Sequence, residues 1–191
     1  KLNVLITGAS SGIGYSAAKA ICIAGHNVFG LARRSDNLHK LGEECADLSG
    51  SFLSFIGDVK NDHDIENAVK SMIDEFGSID VLIPNAGLGH FNPLEKGTME
   101  EWRSMVDVNI TGVLKTIHSS LPHLLNSNGH VVNIGSVAAR QVFLNSGVYC
   151  ATKHFVLAMS ESLRIEFGNK IAVTTINPGA VNTEFIGHTA N

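Results

Sequence analysis

Short, uniformly apolar runs alternate along the chain with longer stretches in which apolar residues recur at helical spacing. The apolar runs predict β-strands at residues 4–6, 28–32, 52–56, 81–83, 131–134 and 171–176. The longer stretches predict helices at residues 13–24, 37–48, 62–76, 100–125 and 149–167. Pro122 lies inside the fourth of these helices and is expected to bend or end it.

The alternation of strands and helices predicts an α/β fold. Strands that are apolar throughout are buried on both faces, as in a parallel sheet covered by helices. Right-handed crossovers then give a doubly wound parallel sheet. No repeat or low-complexity linker divides the chain, so we expect a single domain over residues 1–191. Because the sequence stops soon after the sixth strand, we expect that the protein continues beyond Asn191 or that C-terminal elements of the sheet are missing.

Composition and charge exclude several classes of protein. The chain is 44% hydrophobic and 17% charged, which is typical of a soluble globular protein. A net charge of −4 without a basic patch argues against nucleic-acid binding. The apolar runs are too short to span a membrane, and no secretion signal precedes the first strand. The three cysteines lack Cys-x-x-Cys spacing, which favours a reducing, cytoplasmic location, and the histidines lack the spacing of metal ligands, so no metal site is expected.

A glycine-rich loop with the sequence TGASSGIG, residues 7–14, connects the first strand to the first helix. Glycines in such a loop allow a tight turn and let the backbone approach a pyrophosphate that rests on the helix N-terminus. The spacing differs from the common Gly-x-Gly-x-x-Gly fingerprint, but the strand–loop–helix context favours a nucleotide site in a Rossmann-like fold over an ordinary tight turn. The candidate binding residues are Gly8, Ser10, Ser11, Gly12, Ile13 and Gly14.

The end of the second strand chooses between the two nicotinamide cofactors, because a carboxylate there binds the ribose 2′-hydroxyl and repels a 2′-phosphate. This chain carries Arg33, Arg34 and Ser35 instead. A guanidinium suits a phosphate, so we favour NADP(H) over NAD(H), with Arg33 as the main contact and Arg34 stacking on adenine. The alternative is that both arginines merely face solvent.

The ends of the third and fourth strands carry weaker signals. Asp58 could accept a hydrogen bond from the adenine amino group, and Val59 could pack on the ring. The small residues of Asn85-Ala86-Gly87 would lie beside the glycine loop and leave room for the ribose. Both segments also have the composition of plain turns.

Tyr149 and Lys153 occupy positions i and i+4 of a predicted helix and so share one of its faces. A free tyrosine has a pKa near 10. A neighbouring cation favours the phenolate, so Lys153 is expected to lower the pKa of Tyr149 toward the working range of an acid–base catalyst. Ser136 can supply a second hydroxyl for the same substrate oxygen.

The ordered series of these motifs resembles the single-domain, Tyr-x-x-x-Lys branch of the short-chain dehydrogenase/reductase family over essentially the whole chain. The series comprises the glycine loop, Asp58, Asn85-Ala86-Gly87, Asn109, Ser136, Tyr149, Lys153 and Pro178-Gly179. Two features depart from the family pattern. Pro84 stands where the family usually has a second asparagine, and the chain ends before the family's substrate lid and final strand.

The resemblance implies a role for each matching residue. Tyr149 would be the general acid in reduction and the general base in oxidation, and Ser136 would hold the substrate oxygen. Lys153 would lower the tyrosine pKa and bind the nicotinamide ribose. Asn109 would kink its helix and anchor a water that relays protons to Lys153. The segment from Pro178 through Gly179 to Thr183 would contact the nicotinamide amide and the phosphates, with Val181 and Thr183 as binders.

Together these features predict an NADP(H)-dependent oxidoreductase that interconverts an alcohol and a carbonyl by hydride transfer. The alternatives are a catalytically silent nucleotide-sensing or scaffold protein of the same fold, and an isomerase or dehydratase that uses the cofactor transiently. Candidate walls of the substrate pocket are His90, Phe91, Ala138, Val142, Phe143 and Asn145. Their mixed polarity leaves both a small hydroxy acid or sugar-like alcohol and a broader carbonyl substrate open.

The two long predicted helices carry apolar residues on more than one face, including Leu114, Ile117, Leu121, Phe155, Leu157, Met159 and Leu163. A helix that is apolar all round is buried on two sides. The resemblance also implies a homodimer or homotetramer through these helices. The alternative is that a further C-terminal segment covers them.

Overall fold

The structure is a computed structural model that describes residues 1–181 and residue 185. Its strands are β1 (Asn3–Thr7), β2 (Asn27–Ala32), β3 (Phe52–Ile56), β4 (Val81–Ile83), β5 (His130–Ile134) and β6 (Ala172–Ile176). Its α-helices are α1 (Gly12–Ile23), α2 (Ser35–Cys45), α3 (Asp62–Phe76), α4 (Met99–Val106), α5 (Val113–Ser127) and α6 (Gly147–Phe167). A π-helical segment, Asp107–Gly112, joins α4 to α5, and a short 3₁₀ helix, Val137–Ala139, follows β5.

The strands form one six-stranded sheet in the order β3-β2-β1-β4-β5-β6, and every pairing is parallel. Ile6 of β1 pairs with Gly30 on one side and with Ile83 on the other. The strand order therefore reverses between β1 and β4. Loops diverge at such a reversal and leave a crevice at the carboxyl ends of the strands. The predicted doubly wound, Rossmann-like parallel sheet is confirmed.

The core consists of one apolar layer on each face of the sheet. On one face Leu5 and Leu82 pack against Met72 of α3 and Leu163 of α6. On the other face Val4, Ile6 and Val28 pack against Ala18 of α1 and Leu41 of α2, as the two-sided burial requires. Because alternate residues of one strand enter opposite layers, β1 is buried at all five positions, and its three central residues, Val4, Leu5 and Ile6, are all apolar.

The prediction of one helix over residues 100–125 is right in extent, since the backbone is helical over residues 99–127, but the helix is not a regular α-helix throughout. A capping box between Thr98 and Glu101 starts α4, and the π-helical segment Asp107–Gly112 then separates α4 from α5. Such a segment opens the helix locally and is frequent at functional sites. Pro122 does not end the helix, which was one of the two predicted effects. Instead α5 continues to Ser127 and ends where Asn128 adopts a left-handed conformation.

Two further findings concern only the part of the chain that the structure describes. No helix there is long and apolar enough to cross a membrane. No group of three or more His, Cys, Asp or Glu side chains there could hold a metal ion.

Candidate active site

One large cavity, of about 1090 Å³, opens at the carboxyl ends of the strands. Most of the residues predicted from the sequence line it, namely Gly8, Ser10, Ser11, Gly12, Ile13, Arg33, Arg34, Asp58, Val59, Asn85, Ala86, Gly87, Ser136, Tyr149, Lys153, Pro178, Gly179 and Val181. Gly14, Asn109 and Val142 are not among the lining residues. Thr183 lies outside the described residues.

The glycine loop is shaped by close contact with the loop after β4. Gly8 has φ +72 and Gly12 has φ +54, which are left-handed conformations that favour glycine. A Cβ on Gly8 would lie 2.9 Å from the Cα of Ala86. A Cβ on Gly14 would overlap the carbonyl oxygen of Gly8. Gly14 therefore allows α1 to pack beneath the loop rather than lining the cavity itself.

The N-terminus of α1 opens into the cavity with its backbone donors available. Ser11 at the N-cap makes no side-chain capping hydrogen bond, and the first turn contains no acidic residue. The first N–H groups of a helix lack partners within it, and the helix dipole favours an anion there. This end of the cavity can hold a phosphate group.

Two residues that position the site were missed as candidates. The Thr7 hydroxyl oxygen accepts hydrogen bonds from the backbone N–H groups of Asn85 and Ala86, each at 3.1 Å. The Asn177 side-chain oxygen accepts one from the N–H of Ser136, at 3.2 Å. Each immediately precedes a predicted binding segment, and that proximity was the only signal available in the sequence.

Both arginines after β2 lie at the mouth of the cavity. Arg33 is largely exposed, and its guanidinium lies 3.8 Å from the Asp58 carboxylate. Arg34 donates from Nε to the Ser10 hydroxyl, at 3.3 Å. The Asn37 amide donates to the Ser10 carbonyl, at 2.8 Å, and links α2 to the glycine loop. A double positive charge therefore stands at the end of the cavity that is away from Tyr149.

Asn109 lies in the π-helical segment and is buried behind the cavity. Its side-chain oxygen accepts from the N–H of Leu88, at 2.9 Å, and its amide donates to the Leu88 carbonyl, at 2.8 Å. The same amide donates to the hydroxyl of Thr152 on α6, at 3.0 Å. Asn109 thus ties the loop after β4 to the helix that carries Tyr149 and Lys153.

Tyr149 and Lys153 face the cavity from the first turns of α6. The Lys153 ammonium donates to the Ile134 carbonyl, at 3.0 Å, and lies 5.9 Å from the centre of the Tyr149 ring. Ser136 caps the short helix after β5, where its hydroxyl oxygen accepts from the N–H of Ala138. The three predicted polar side chains meet at one end of the cavity, as the sequence indicated.

Burial is the main cause of the pKa shifts of Tyr149 and Lys153. It raises the pKa of Tyr149 above its ordinary value, although a hydrogen bond with Ser136 acts in the opposite direction. Burial also lowers the pKa of Lys153 from 10.5 to about 8. The expectation of a lowered tyrosine pKa is therefore wrong for this structure, because removing the phenolate from water costs more than its neighbours return.

Aromatic side chains surround Tyr149 on its other side. The ring of Phe91 lies 5.2 Å from that of Tyr149, and the ring of Phe185 lies 5.8 Å from it. His90, Ala138, Phe143 and Asn145 line the cavity as predicted, whereas Val142 is exposed outside it. The cavity thus has a charged end at the arginines and a largely apolar end at the tyrosine.

A parallel, doubly wound sheet with a glycine loop beside a large cavity and a buried Tyr–Lys pair is typical of nucleotide-binding oxidoreductases. The chain matches the short chain dehydrogenase family over residues 2–190. It therefore belongs to that family, whose members are oxidoreductases.

Three curated relatives are similar over nearly the whole chain. An uncharacterized oxidoreductase of Staphylococcus saprophyticus is 41% identical over 189 residues, which cover 97% of this chain and 76% of the relative. Serine 3-dehydrogenase of Agrobacterium fabrum is 39% identical over 95% of this chain and 73% of the relative. An NADP-dependent 3-hydroxy acid dehydrogenase of Shigella flexneri is 37% identical over 95% and 74%, respectively.

Solved structures also match this chain over nearly its whole length. The closed form of a serine dehydrogenase complexed with NADP⁺ superposes with a TM-score of 0.91 at 34% identity, covering 98% of this chain and 76% of that one. A 3-ketoacyl-(acyl-carrier-protein) reductase from Brucella melitensis complexed with NADH superposes with a TM-score of 0.93 at 30% identity, covering 97% and 78%. The neighbours therefore include complexes with both cofactors.

Replacing Lys153 with methionine is expected to stabilise the protein at pH 7. The lysine pKa falls from 10.5 unfolded to about 8 folded, so a charged Lys153 opposes folding below pH 8. The shift corresponds to about 3 kcal/mol, an upper bound because the bond to the Ile134 carbonyl is also lost. The unfolded chain binds more protons between these pKa values, so wild-type stability rises with pH there and the advantage of Lys153→Met shrinks.

Urea unfolding of Lys153→Met at pH 7 and pH 10 measures this effect. Lys170→Met, at an exposed position, serves as the control and should change little at either pH. Equal destabilisation of Lys153→Met at both values would show that burial of the charge is not the dominant cost.

Proposed function

We propose that residues 1–191 act as a single dinucleotide-binding and catalytic domain that interconverts an alcohol and a carbonyl with NADP(H). The observation that carries the proposal is the convergence of Ser136, Tyr149 and Lys153 at one end of a cavity. The glycine loop and the two arginines lie at the other end of the same cavity. A dinucleotide could place its phosphates at the glycine loop and its nicotinamide near Tyr149, where the nicotinamide would supply or accept the hydride when bound.

The donors present along the cavity fit a dinucleotide. The first N–H groups of α1, which the Ser11 side chain does not cap, suit a pyrophosphate, and the arginines suit a phosphate on the adenosine ribose. Lys153 makes one hydrogen bond within the described residues, to Ile134, and its other ammonium hydrogens can reach ribose hydroxyls. Asp58 and Val59 border the adenine end, whereas Ala86 and Gly87 leave space beside Lys153.

Tyr149 is the proposed proton donor in reduction and proton acceptor in oxidation. Its raised pKa keeps the hydroxyl protonated at neutral pH, which is the form required of an acid. Ser136 and Tyr149 would both donate hydrogen bonds to the substrate oxygen as negative charge develops there. The Lys153 charge stabilises the phenolate left after the proton has moved, and Asn109 would anchor the water that resupplies a proton to Lys153.

NADP(H) is the proposed cofactor because Arg33 and Arg34 stand where a carboxylate would select NAD(H). The names of one relative and of one structural neighbour specify NADP and support this preference. The Brucella reductase was solved with NADH, so the preference rests on the arginines of this chain.

Replacing Tyr149 with phenylalanine is expected to lower kcat for carbonyl reduction by about 10²–10⁴-fold, because the proton donor is removed. Affinity for NADPH should change little. The reaction is followed as NADPH oxidation, and affinity as nicotinamide fluorescence. Tyr15→Phe is the matched control, because Tyr15 is the other of the two tyrosines and lies on α1 outside the lining of the cavity. Near-full kcat in Tyr149→Phe would contradict the assignment.

Replacing Arg33 with alanine is expected to weaken NADPH binding at least tenfold while leaving NADH binding nearly unchanged. Charge-assisted hydrogen bonds to a phosphate contribute about 1.5–3 kcal/mol each, and a tenfold change in Kd corresponds to about 1.4 kcal/mol. Titration of Arg33→Ala and Arg34→Ala with each cofactor measures the difference. Arg140→Ala provides a control at an exposed arginine outside the cavity. Equal losses for both cofactors would overturn the preference.

A homodimer or homotetramer through α4, α5 and α6 is also proposed. Val106, Leu114 and Ile165 expose apolar side chains on these helices, at 39%, 39% and 77%. Ile117 and Leu163 instead enter the core, so they are not available to a partner. Sedimentation velocity should detect a dimer or larger species that Leu114→Asp dissociates and Leu94→Asp, at another exposed leucine, does not. A monomeric wild-type chain at micromolar concentration would rule the proposal out.

A further inference from the structure

The end of the cavity at Tyr149 is walled mainly by apolar side chains. Phe91 and Phe185 pack edge to face against each other, with the centres of their two rings 6.5 Å apart, and both also pack against Tyr149. Leu88 and Phe143 also line this end. Under the proposed function, the group next to the reacting carbonyl lies against these side chains. An apolar group is favoured there because it removes apolar surface from water.

The positive charges that line the cavity lie elsewhere. Among the described residues these are Arg33, Arg34 and Lys153. The arginines interact with Asp58 and Ser10 at the far end. The Lys153 ammonium lies 3.8 Å from the position of a Cβ on Gly87 and donates to Ile134, which places it on the glycine-loop side of Tyr149.

His90 also lines this end of the cavity, and its ring nitrogens lie close to Ser104 and Glu101. The Ser104 hydroxyl donates to the backbone carbonyl of Glu101, at 2.8 Å, so its oxygen can accept a hydrogen bond from His90 Nε2, at 3.2 Å. His90 Nδ1 lies 3.9 Å from the Glu101 carboxylate. Hydrogen bonds from Thr98 hold the pKa of Glu101 below its ordinary value, so Glu101 is ionised at neutral pH.

We infer that this site selects an uncharged carbonyl compound with an apolar substituent, such as an aryl ketone or a keto ester, over a keto acid. Glu101 is a specificity-determining residue in this selection. Its carboxylate lies 3.9 Å from Nδ1 of His90, which lines the cavity, and this negative charge repels a substrate carboxylate placed beside His90. The inference deepens the proposed function and rests on it. It separates this chain from relatives whose names specify serine or a 3-hydroxy acid, both of which carry a carboxylate.

A matched pair of substrates tests the inference. Phenylglyoxylate and methyl phenylglyoxylate share the aryl ketone and differ in the charge of the adjacent carboxyl group. With NADPH, the wild-type protein is expected to reduce the ester with a kcat/KM at least about tenfold higher than that of the acid. A kcat/KM for the acid that equals or exceeds that of the ester overturns the inference.

Glu101→Gln isolates the charge without removing the helix cap. Glutamine at this position can still close a capping box with Thr98. The variant is expected to raise kcat/KM for the acid several-fold more than for the ester. Glu100→Gln, at the exposed neighbouring carboxylate in the same helical turn, should leave the ratio of the two substrates unchanged. A ratio that Glu101→Gln does not change, or that both variants change equally, removes Glu101 from the selection.

Ligand binding gives a second readout that does not require turnover. Trp102, the only tryptophan of the chain, packs in the apolar cluster around Tyr149, so its fluorescence reports on this end of the cavity. The ester should bind more tightly than the acid, and tighter binding of the acid counts against the inference.

If the ester binds but neither compound oxidises NADPH, the proposed function fails while the charge selection stands. If the acid is the better substrate and Tyr149→Phe abolishes its reduction, the function stands and the inference fails.

Discussion

The hydrogen bonds of Asn85 to the backbone of the first loop hold the two halves of the crevice together. Its side-chain amide donates to the carbonyls of Thr7 and Gly8, at 2.9 and 3.3 Å, and its backbone N–H donates to the Thr7 hydroxyl, at 3.1 Å. This approach brings the loops after β1 and β4 into contact where the strand order reverses. It leaves no room for side chains at Gly8 or Gly14, so the glycines follow from the contact as much as from any ligand.

The same polar network continues from the glycine loop to α6, which carries Tyr149 and Lys153. Leu88 lies three residues beyond Asn85, and both its backbone groups are bonded to the side chain of Asn109. Asn109 in turn bonds Thr152, the neighbour of Lys153 on α6. The π-helical segment places the Asn109 side chain at this junction. A displacement of the loop after β4 would therefore reach both the glycine-loop end and the Tyr149 end of the cavity.

Burial sets the electrostatic character of the site. Tyr149 and Lys153 are both removed from water, and in each case burial favours the neutral form. A neutral, protonated tyrosine is suited to donate a proton. A buried, charged lysine is stabilised strongly by an oxygen acceptor placed beside it, because hydrogen bonds are stronger where water is excluded. Phe91 and Phe185 contribute to this burial, because their rings pack against the Tyr149 ring and exclude water from it.

The sequence by itself determined the order of strands and helices, the glycine loop and the pairing of Tyr149 with Lys153. These are local features, since uniform burial leaves an apolar run and the helical repeat places positions i and i+4 on one face. Only the tertiary structure decided the π-helical break, the bracing by Thr7 and Asn177, the raised tyrosine pKa and the alignment of Glu101 behind His90. Each of these features depends on contacts between different elements. The distances between such groups and their removal from water cannot be read from the spacing of residues along the sequence.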